Sequence, residues 1–488
     1  MLPYQSLIEF DRTSVDPLYK QITNRLISLI QDGVVQPGVY FPGTRQMADS
    51  LNVNRKTVIN AYESMLLQEW IEAVPRKGYR VIPKLPGIKP RSFQPKNHFI
   101  PAENGTFKNS LKPEPAAPSR RLSSSDLVVN DGFPDAGLAP FKELGRIYRD
   151  PLVSEQVRQL MSLRDEGGLG ILKESAATFL NQTRGLNITQ NDIVLTRGAQ
   201  MAIYITAMVM LNPGDLVVVS EPNYLFASEI VACTGASILT VPVDEHGLDV
   251  DQLEELLLVR TIKLLYIVPH HHHPTTVTMS ADRRRKLLKL IEQYSFFVIE
   301  DDYDYDFHYQ NSPILPLASA AHNGKIIYIG SFTKLLAPSV RVGYLIAAPY
   351  IVKKAIHLRR LIDLRGDTFV EYMLAQMINN GELTRHIVRS NRLYAQRCDH
   401  FCDLLTDRLS HAMDYTKPQG GMAVWLRFKQ RYPVNKVIAD AAQHGLFLTG
   451  MSYQREGDRN DNGLRFGFAS LNENDMERAI AILEKILK

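Results

Sequence analysis

Apolar residues recur at Leu18, Ile22, Leu26, Leu29 and Ile30 after Pro17, the spacing of one helical face, and the pattern ends near Gly33. A second, shorter helix is predicted from Thr44, as its N-cap, to Asn52. Asn54 then caps a third, whose apolar face is Val58, Ala61, Tyr62, Met65 and Leu66. Arg55, Lys56, Thr57 and Asn60 fall near the exposed N-terminal end of that helix, the end with which a recognition helix meets base edges. Trp70 to Val74 and Tyr79 to Ile82 read as the strands of a hairpin with Pro75-Arg76-Lys77-Gly78 at its tip. Three helices followed by a basic hairpin predict a winged helix-turn-helix over residues 1–82.

From residue 126 to 488 the pattern changes. Short runs apolar on both faces (Asp215 to Val219, Leu264 to Val268, Phe296 to Glu300, Ile326 to Ile329, Val342 to Ile346) alternate with helical stretches such as 281 to 294. That alternation predicts an α/β domain on a mainly parallel sheet, with ligands at the carboxyl ends of its strands. Between the two lies 83–125, rich in proline (Pro83, Pro86, Pro90, Pro95, Pro101, Pro113, Pro115, Pro118) and poor in large apolar residues, which predicts an extended tether.

Charge sharpens this division. The formal net charge of the 488 residues is only +4, and residues 1–82 hold nine Lys/Arg against eight acidic groups. Segment 83–125 holds eight against two, so the basic excess lies in the tether, where it suits both hydration and nonspecific attraction to phosphates. No apolar run approaches the roughly 20 residues that span a bilayer, and no charged-then-apolar leader follows Met1, so the cytoplasm is the expected location. Three cysteines, Cys233, Cys398 and Cys402, are too few and too unevenly spaced for a disulfide framework. Cys398 and Cys402, one helical turn apart with no third ligand nearby, read as helix-packing thiols.

The polar motifs at the strand ends suggest one chemistry. A pyridoxal-phosphate site needs an amine for the Schiff base, a carboxylate for the pyridine nitrogen, a donor for the ring hydroxyl and an anion cradle. Lys334 supplies the amine, Asp301 the carboxylate and Tyr303 the donor; Ser331 and Arg341 flank the lysine as phosphate donors. Gly198-Ala199-Gln200, at the start of an apolar helix, offers backbone N–H groups to the same phosphate, and Tyr224 is placed to stack on the ring.

Several segments resemble known families. Pro42-Gly43-Thr44-Arg45 and Asn54-Arg55-Lys56-Thr57-Val58 are similar to the Leu-Pro-Ser-x-Arg and Ser-Arg-x-Thr-Val regions of the GntR family. From about Asp131 to Lys488 the chain resembles the fold-type I aminotransferases. The whole resembles the MocR-type subfamily of GntR regulators, notably at 242–250, 299–304, 330–344 and Leu464-Arg465-Phe466-Gly467-Phe468-Ala469. The resemblance implies DNA contacts at Arg45, Arg55, Lys56, Thr57, Lys77 and Gly78, a ring-side role for His271, and a substrate or effector carboxylate at Arg465. It further implies a homodimer that binds operator DNA and responds to pyridoxal phosphate or an amino compound through an aldimine at Lys334. A working aminotransferase with an accessory head is the alternative, since sensor and enzyme need the same residues.

The chain departs from these patterns in three places. The wing lacks its usual second glycine; Pro269-His270-His271-His272-His273-Pro274-Thr275-Thr276 ends in threonine where relatives have glycine; and Leu163, in Leu163-Arg164-Asp165-Glu166-Gly167-Gly168, replaces a tyrosine that reaches a neighbouring subunit's phosphate. That last change predicts feeble turnover. The four histidines, with no carboxylate or thiolate pattern beside them, are read as a loop lining the cofactor pocket, with no metal.

Overall fold

The computed structural model describes residues 2–14, 16–83, 126–153, 155, 157, 159, 166–309, 314–454 and 462–488. The chain divides into two compact units, Met1–Ser119 and Arg120–Lys488. The expected tether, apart from Pro83, and the Leu163-Arg164-Asp165 departure lie outside the described residues.

The first unit contains helices α1 (Tyr4–Leu7), α2 (Leu18–Gln31), α3 (Thr44–Leu51) and α4 (Arg55–Leu67), then the antiparallel strands β1 (Ile71–Val74) and β2 (Gly78–Val81). Ile22 and Leu26 of α2 meet Met47 of α3 and Val58, Ala61, Tyr62 and Met65 of α4 in a closed core. Each large apolar side chain buried this fully contributes about 1.5–3 kcal/mol relative to exposure. The Tyr62 hydroxyl, deep in that core, donates to Pro42 O at 3.0 Å and so ties α4 to the turn before α3. Asn54 caps α4 as expected, its side chain accepting from Lys56 N at 2.8 Å. Thr44 is the first residue of α3 rather than its cap; Gly43 holds the cap position, and the helix ends on Asn52 in the left-handed conformation.

The second unit is built on an eight-stranded sheet in the order β4 (Ile193–Thr196), β11 (Gly343–Ile346), β10 (Ile326–Ser331), β9 (Phe297–Asp302), β8 (Leu264–Ile267), β5 (Leu216–Glu221), β6 (Ser237–Asp244), β7 (Gly247–Leu248). The pairs from β10 through β6 are parallel, and β11 runs antiparallel to both its neighbours. The sheet is thus mainly parallel, with apolar clusters on both faces. Both faces being buried is why its central strands lack polar alternation.

A smaller antiparallel sheet, β12 (Met413–Tyr415), β13 (Ala423–Phe428), β16 (Asn462–Gly467) and β15 (Ser452–Gln454), packs with the helix Glu382–Leu409. Phe401 of that helix stacks on Phe466 with ring centroids 4.7 Å apart, and Cys398 and Cys402 are buried in the same core. Strand β3 (Leu127–Val129) pairs in parallel with β14 (Leu446–Leu448), and just past it Asn130 O accepts from Gly467 N of β16 at 2.9 Å. Among the described residues no helix is long and apolar enough to cross a membrane.

Candidate functional site

The ends of β4, β5, β9 and β10 and the loop before β11 carry the expected groups. Strand β10 ends at Ser331, and the short turn that follows carries Lys334, whose Nζ donates to Gly132 O at 2.8 Å and sits 4.0 Å from the Phe133 ring centre. Burial disfavours the ammonium, and with opposing contributions from Asp131 and Arg465 the amine is held down at about 8. Gly132 has φ +86°, and a Cβ there would lie 3.2 Å from Ala423 Cβ and 3.4 Å from Arg465 Nη2, so only glycine lets this peptide reach the lysine.

On β9, Asp301 is fully enclosed. Burial pushes its carboxyl up to about 7 against the hydrogen bond from Tyr266, with Asp302 and Asp304 adding to the rise. Oδ2 accepts from Tyr266 at 2.7 Å, whereas Oδ1 is buried with no partner. Two residues on, the Tyr303 hydroxyl donates to His271 O at 2.9 Å and accepts from Arg465 Nη2 at 3.0 Å. Tyr224, just past β5, meets the His273 ring edge-on at 5.1 Å. Burial, with Asp301 and Asp131 nearby, raises its phenol above the usual range.

The expected anion cradle is assembled beside Arg341. Gly198, at φ +92°, precedes the helix Ala199–Met210, whose N-terminus has no side-chain cap. A Cβ on Gly198 would be 2.7 Å from Arg341 Nη2, which donates to Arg197 O at 3.0 Å, so the guanidinium lies against the backbone that leads into this helix. Ser331 is buried at the same strand end, its Oγ accepting from Thr333 N at 3.2 Å and donating to Val342 O at 3.4 Å.

The histidine loop differs from expectation. His271 takes φ +44° and turns its Nδ1 to Asp304 Oδ1 at 3.0 Å, against Gly420 and Gly421, so it stands beside the ring pocket through its backbone carbonyl only. His273 is the histidine whose ring faces Tyr224 and Tyr303, with Nε2 2.6 Å from Asp131 Oδ2. His270 reaches Ile314 O at 2.7 Å and His272 reaches Ser220 at 2.9 Å, so the four rings diverge and share no ligand position.

Arg465, on β16, is 1% exposed and already engaged: Nε donates to Asp131 O at 3.1 Å, Nη1 to Pro274 O at 3.1 Å and Nη2 to Tyr303. Asp131, Phe133, Tyr266 and His273 were not anticipated at this site. Of these only His273 left a trace, as part of a histidine run beside a proline.

In the first unit, Arg55 and Lys56 are exposed on the opening turn of α4, with Thr57 and Asn60 half-buried behind them. Arg55 Nε donates to Thr44 Oγ1 at 3.2 Å, which joins this turn to the start of α3 and to exposed Arg45. Lys77 and Gly78 are exposed at the hairpin tip, where Arg76 adopts φ +63° in place of the expected glycine.

Residues 18–81 match the gntR family of bacterial regulatory proteins, and residues 154–483 match aminotransferase class I and II. The chain belongs to the aminotransferase class I and II family and carries a GntR head, the MocR-type combination. It is 25% identical over 97% of its length to a probable rhizopine catabolism regulatory protein MocR from Rhizobium meliloti, covering 94% of that protein. An aromatic-amino-acid aminotransferase from Thermococcus litoralis is 28% identical over 75% of this chain and 89% of its own. Among solved structures, a Pyrococcus horikoshii kynurenine aminotransferase in complex with PMP superposes with a TM-score of 0.68, at 27% identity, over 75% of this chain and 92% of that one.

The MocR-type chain therefore combines the parts of a bacterial transcription regulator with a pyridoxal-phosphate domain. Its own atoms fit that cofactor: a buried acceptor without a partner at Asp301 Oδ1, an amine at Lys334 and an uncapped helix N-terminus beneath Arg341.

Proposed function

We propose that this protein is a DNA-binding transcriptional regulator that senses pyridoxal phosphate, or an amino compound joined to it, at Lys334, and that it acts as a homodimer in the cytoplasm. One observation carries the reading: a head with exposed Arg45, Arg55 and Lys56 around a capped recognition turn coexists with a full cofactor constellation in the same chain.

When bound, the cofactor supplies an aldehyde carbon for amines and a ring that withdraws electrons. Asp301 Oδ1 is the acceptor for a proton held on the ring nitrogen. The Tyr303 hydroxyl, oriented by Arg465, would meet the ring oxygen, and Tyr224 would lie against the ring. The N–H groups of Ala199 and Gln200, with Arg341 and Ser331, would hold the phosphate. Lys334, whose amine burial holds down at about 8, would be the covalent anchor. Exposed Leu225, Tyr350, Leu361, Leu364 and Val388 give this unit apolar surface suited to a second copy.

In the head, the α4 turn reads bases, and Lys77 with Gly78 meets the backbone. The test is operator affinity of wild type and Lys334→Ala, each with and without pyridoxal phosphate and an amine. A sensor changes affinity with ligand in wild type only. Affinity that ignores a saturating cofactor ends the sensor reading, and vigorous multiple turnover with an amino acid and a keto acid would make the chain an aminotransferase.

A further inference from the structure

The guanidinium expected to recognise a ligand carboxylate is already faced by a carboxylate of this chain. Asp131 leaves the end of β3 with its Oδ1 3.7 Å from Arg465 Nε and its backbone oxygen accepting from the same atom at 3.1 Å. It is fixed from two further sides: His273 Nε2 lies 2.6 Å from Oδ2, and Met451 N donates to Oδ1 at 2.9 Å. Burial by itself would raise the Asp131 carboxyl, but the His273 hydrogen bond and charge, Arg465 and Met451 N–H outweigh it and hold the group well below the usual carboxylate range. Asp131 is therefore an anion at neutral pH.

Three of the five guanidinium N–H groups of Arg465 are spent on Asp131 O, Pro274 O and Tyr303, so every nitrogen of the fork is already engaged within the chain and one N–H is left on each of Nη1 and Nη2. The Arg465 side chain is 1% exposed and that of Asp131 is 25% exposed, so the carboxylate is the more accessible partner of the pair. An arriving ammonium meets the same carboxylate with favourable sign, together with the faces of Phe133 and Tyr303 that already flank Lys334 Nζ.

We infer that Asp131, clamped by His273 and Arg465, is a specificity-determining residue that turns this site against α-carboxylates and toward amines that lack one. This rests on the sensor reading above and names its ligand class. The like charge is a repulsive element built into the pocket, which discriminates without any added contact to the preferred ligand.

The test titrates the full-length, cofactor-loaded protein with matched pairs, L-phenylalanine against 2-phenylethylamine and L-alanine against ethylamine, following the cofactor absorbance to apparent Kd. The same titrations are run on Asp131→Asn and Asp131→Ala. Comparing the amine-to-acid preference between variant and wild type cancels the ligands' own basicity. Wild type should favour the amine of each pair by about tenfold or more, and both variants should shift the preference toward the amino acid by at least about tenfold, ~1.4 kcal/mol. Wild-type preference for the amino acid overturns the inference even if neither variant folds. An unchanged preference in a folded variant, or no spectral response to either ligand, also overturns it. Operator binding, measured separately, leaves the regulator reading standing or falling on its own result.

Discussion

The Tyr266 hydroxyl donates to Asp301 Oδ2 across 2.7 Å from the neighbouring strand and leaves Oδ1 as a buried acceptor with no partner. An amide at this position keeps the shape and loses the charge that favours a protonated ring nitrogen. Asp301→Asn should retain bound cofactor with an altered absorbance band and bind it about tenfold more weakly, ~1.4 kcal/mol. Spectrophotometric titration checks this, and a wild-type spectrum and affinity would remove Asp301 from the role.

The same carboxyl makes stability depend on pH before cofactor binds. Its folded value of about 7 lies above the unfolded value near 3.8, so the stability it contributes is complete below about pH 4 and is lost as pH rises through about 7. Asparagine does not titrate. Urea unfolding of the cofactor-free protein should show the wild-type minus Asp301→Asn difference falling between about pH 5 and pH 7, by on the order of a few kcal/mol, and levelling above that. A flat difference would mean that Asp301 is not buried as described.

Lys334 has the opposite displacement. Its amine, held at about 8 instead of 10.5, becomes neutral and nucleophilic as pH rises through that value. The rate of cofactor capture by cofactor-free protein should climb between about pH 7 and pH 9 and then level. Borohydride should trap the cofactor on Lys334 in wild type and leave Lys334→Ala unlabelled; label on another lysine would refute the assignment.

Gly198→Ala tests the cradle. The new Cβ would arrive 2.7 Å from Arg341 Nη2 on a backbone at φ +92°. Cofactor affinity should drop at least about tenfold, ~1.4 kcal/mol, by fluorescence titration, with the far-ultraviolet circular dichroism of the fold retained.

In the head, Arg55→Ala should cost about 1–3 kcal/mol of operator binding if Arg55 makes a bidentate base contact. Lys56→Ala should lower the salt slope by about one unit if it meets a phosphate. Asn54→Ala removes the cap on α4 and should cost about 1 kcal/mol of head stability. Fluorescence anisotropy across a salt series, with thermal unfolding, separates the three.

The strands at the centre of the large sheet were readable because burial on both faces leaves an uninterrupted apolar run at β5, β8, β9, β10 and β11. Strand β6 was not, since Ser237 and Thr240 interrupt it on a sheet flank that stays partly exposed. The single turn of α1 holds too few residues to show a period, and its place is set by Tyr4 packing on Phe41 with ring centres 6.0 Å apart. Lys334, Asp301 and Tyr303 stand at or just past the ends of strands, and Arg341 just before one, which is where the sequence pattern marks them. Asp131 and His273 could not be read in this way: their contact spans 142 positions of sequence, and no local pattern announces a partnership made by folding alone. His271 was misplaced because the backbone turns it away from the pocket at φ +44°.

Strand β3 has three residues and one partner, β14. From its end hang the acid that balances Arg465, the carbonyl that holds Lys334 and the phenyl ring above it. Undocking those three residues would strip the pocket of all three contacts at once, whereas a ligand that replaces them loosens the strand's hold by the same free energy.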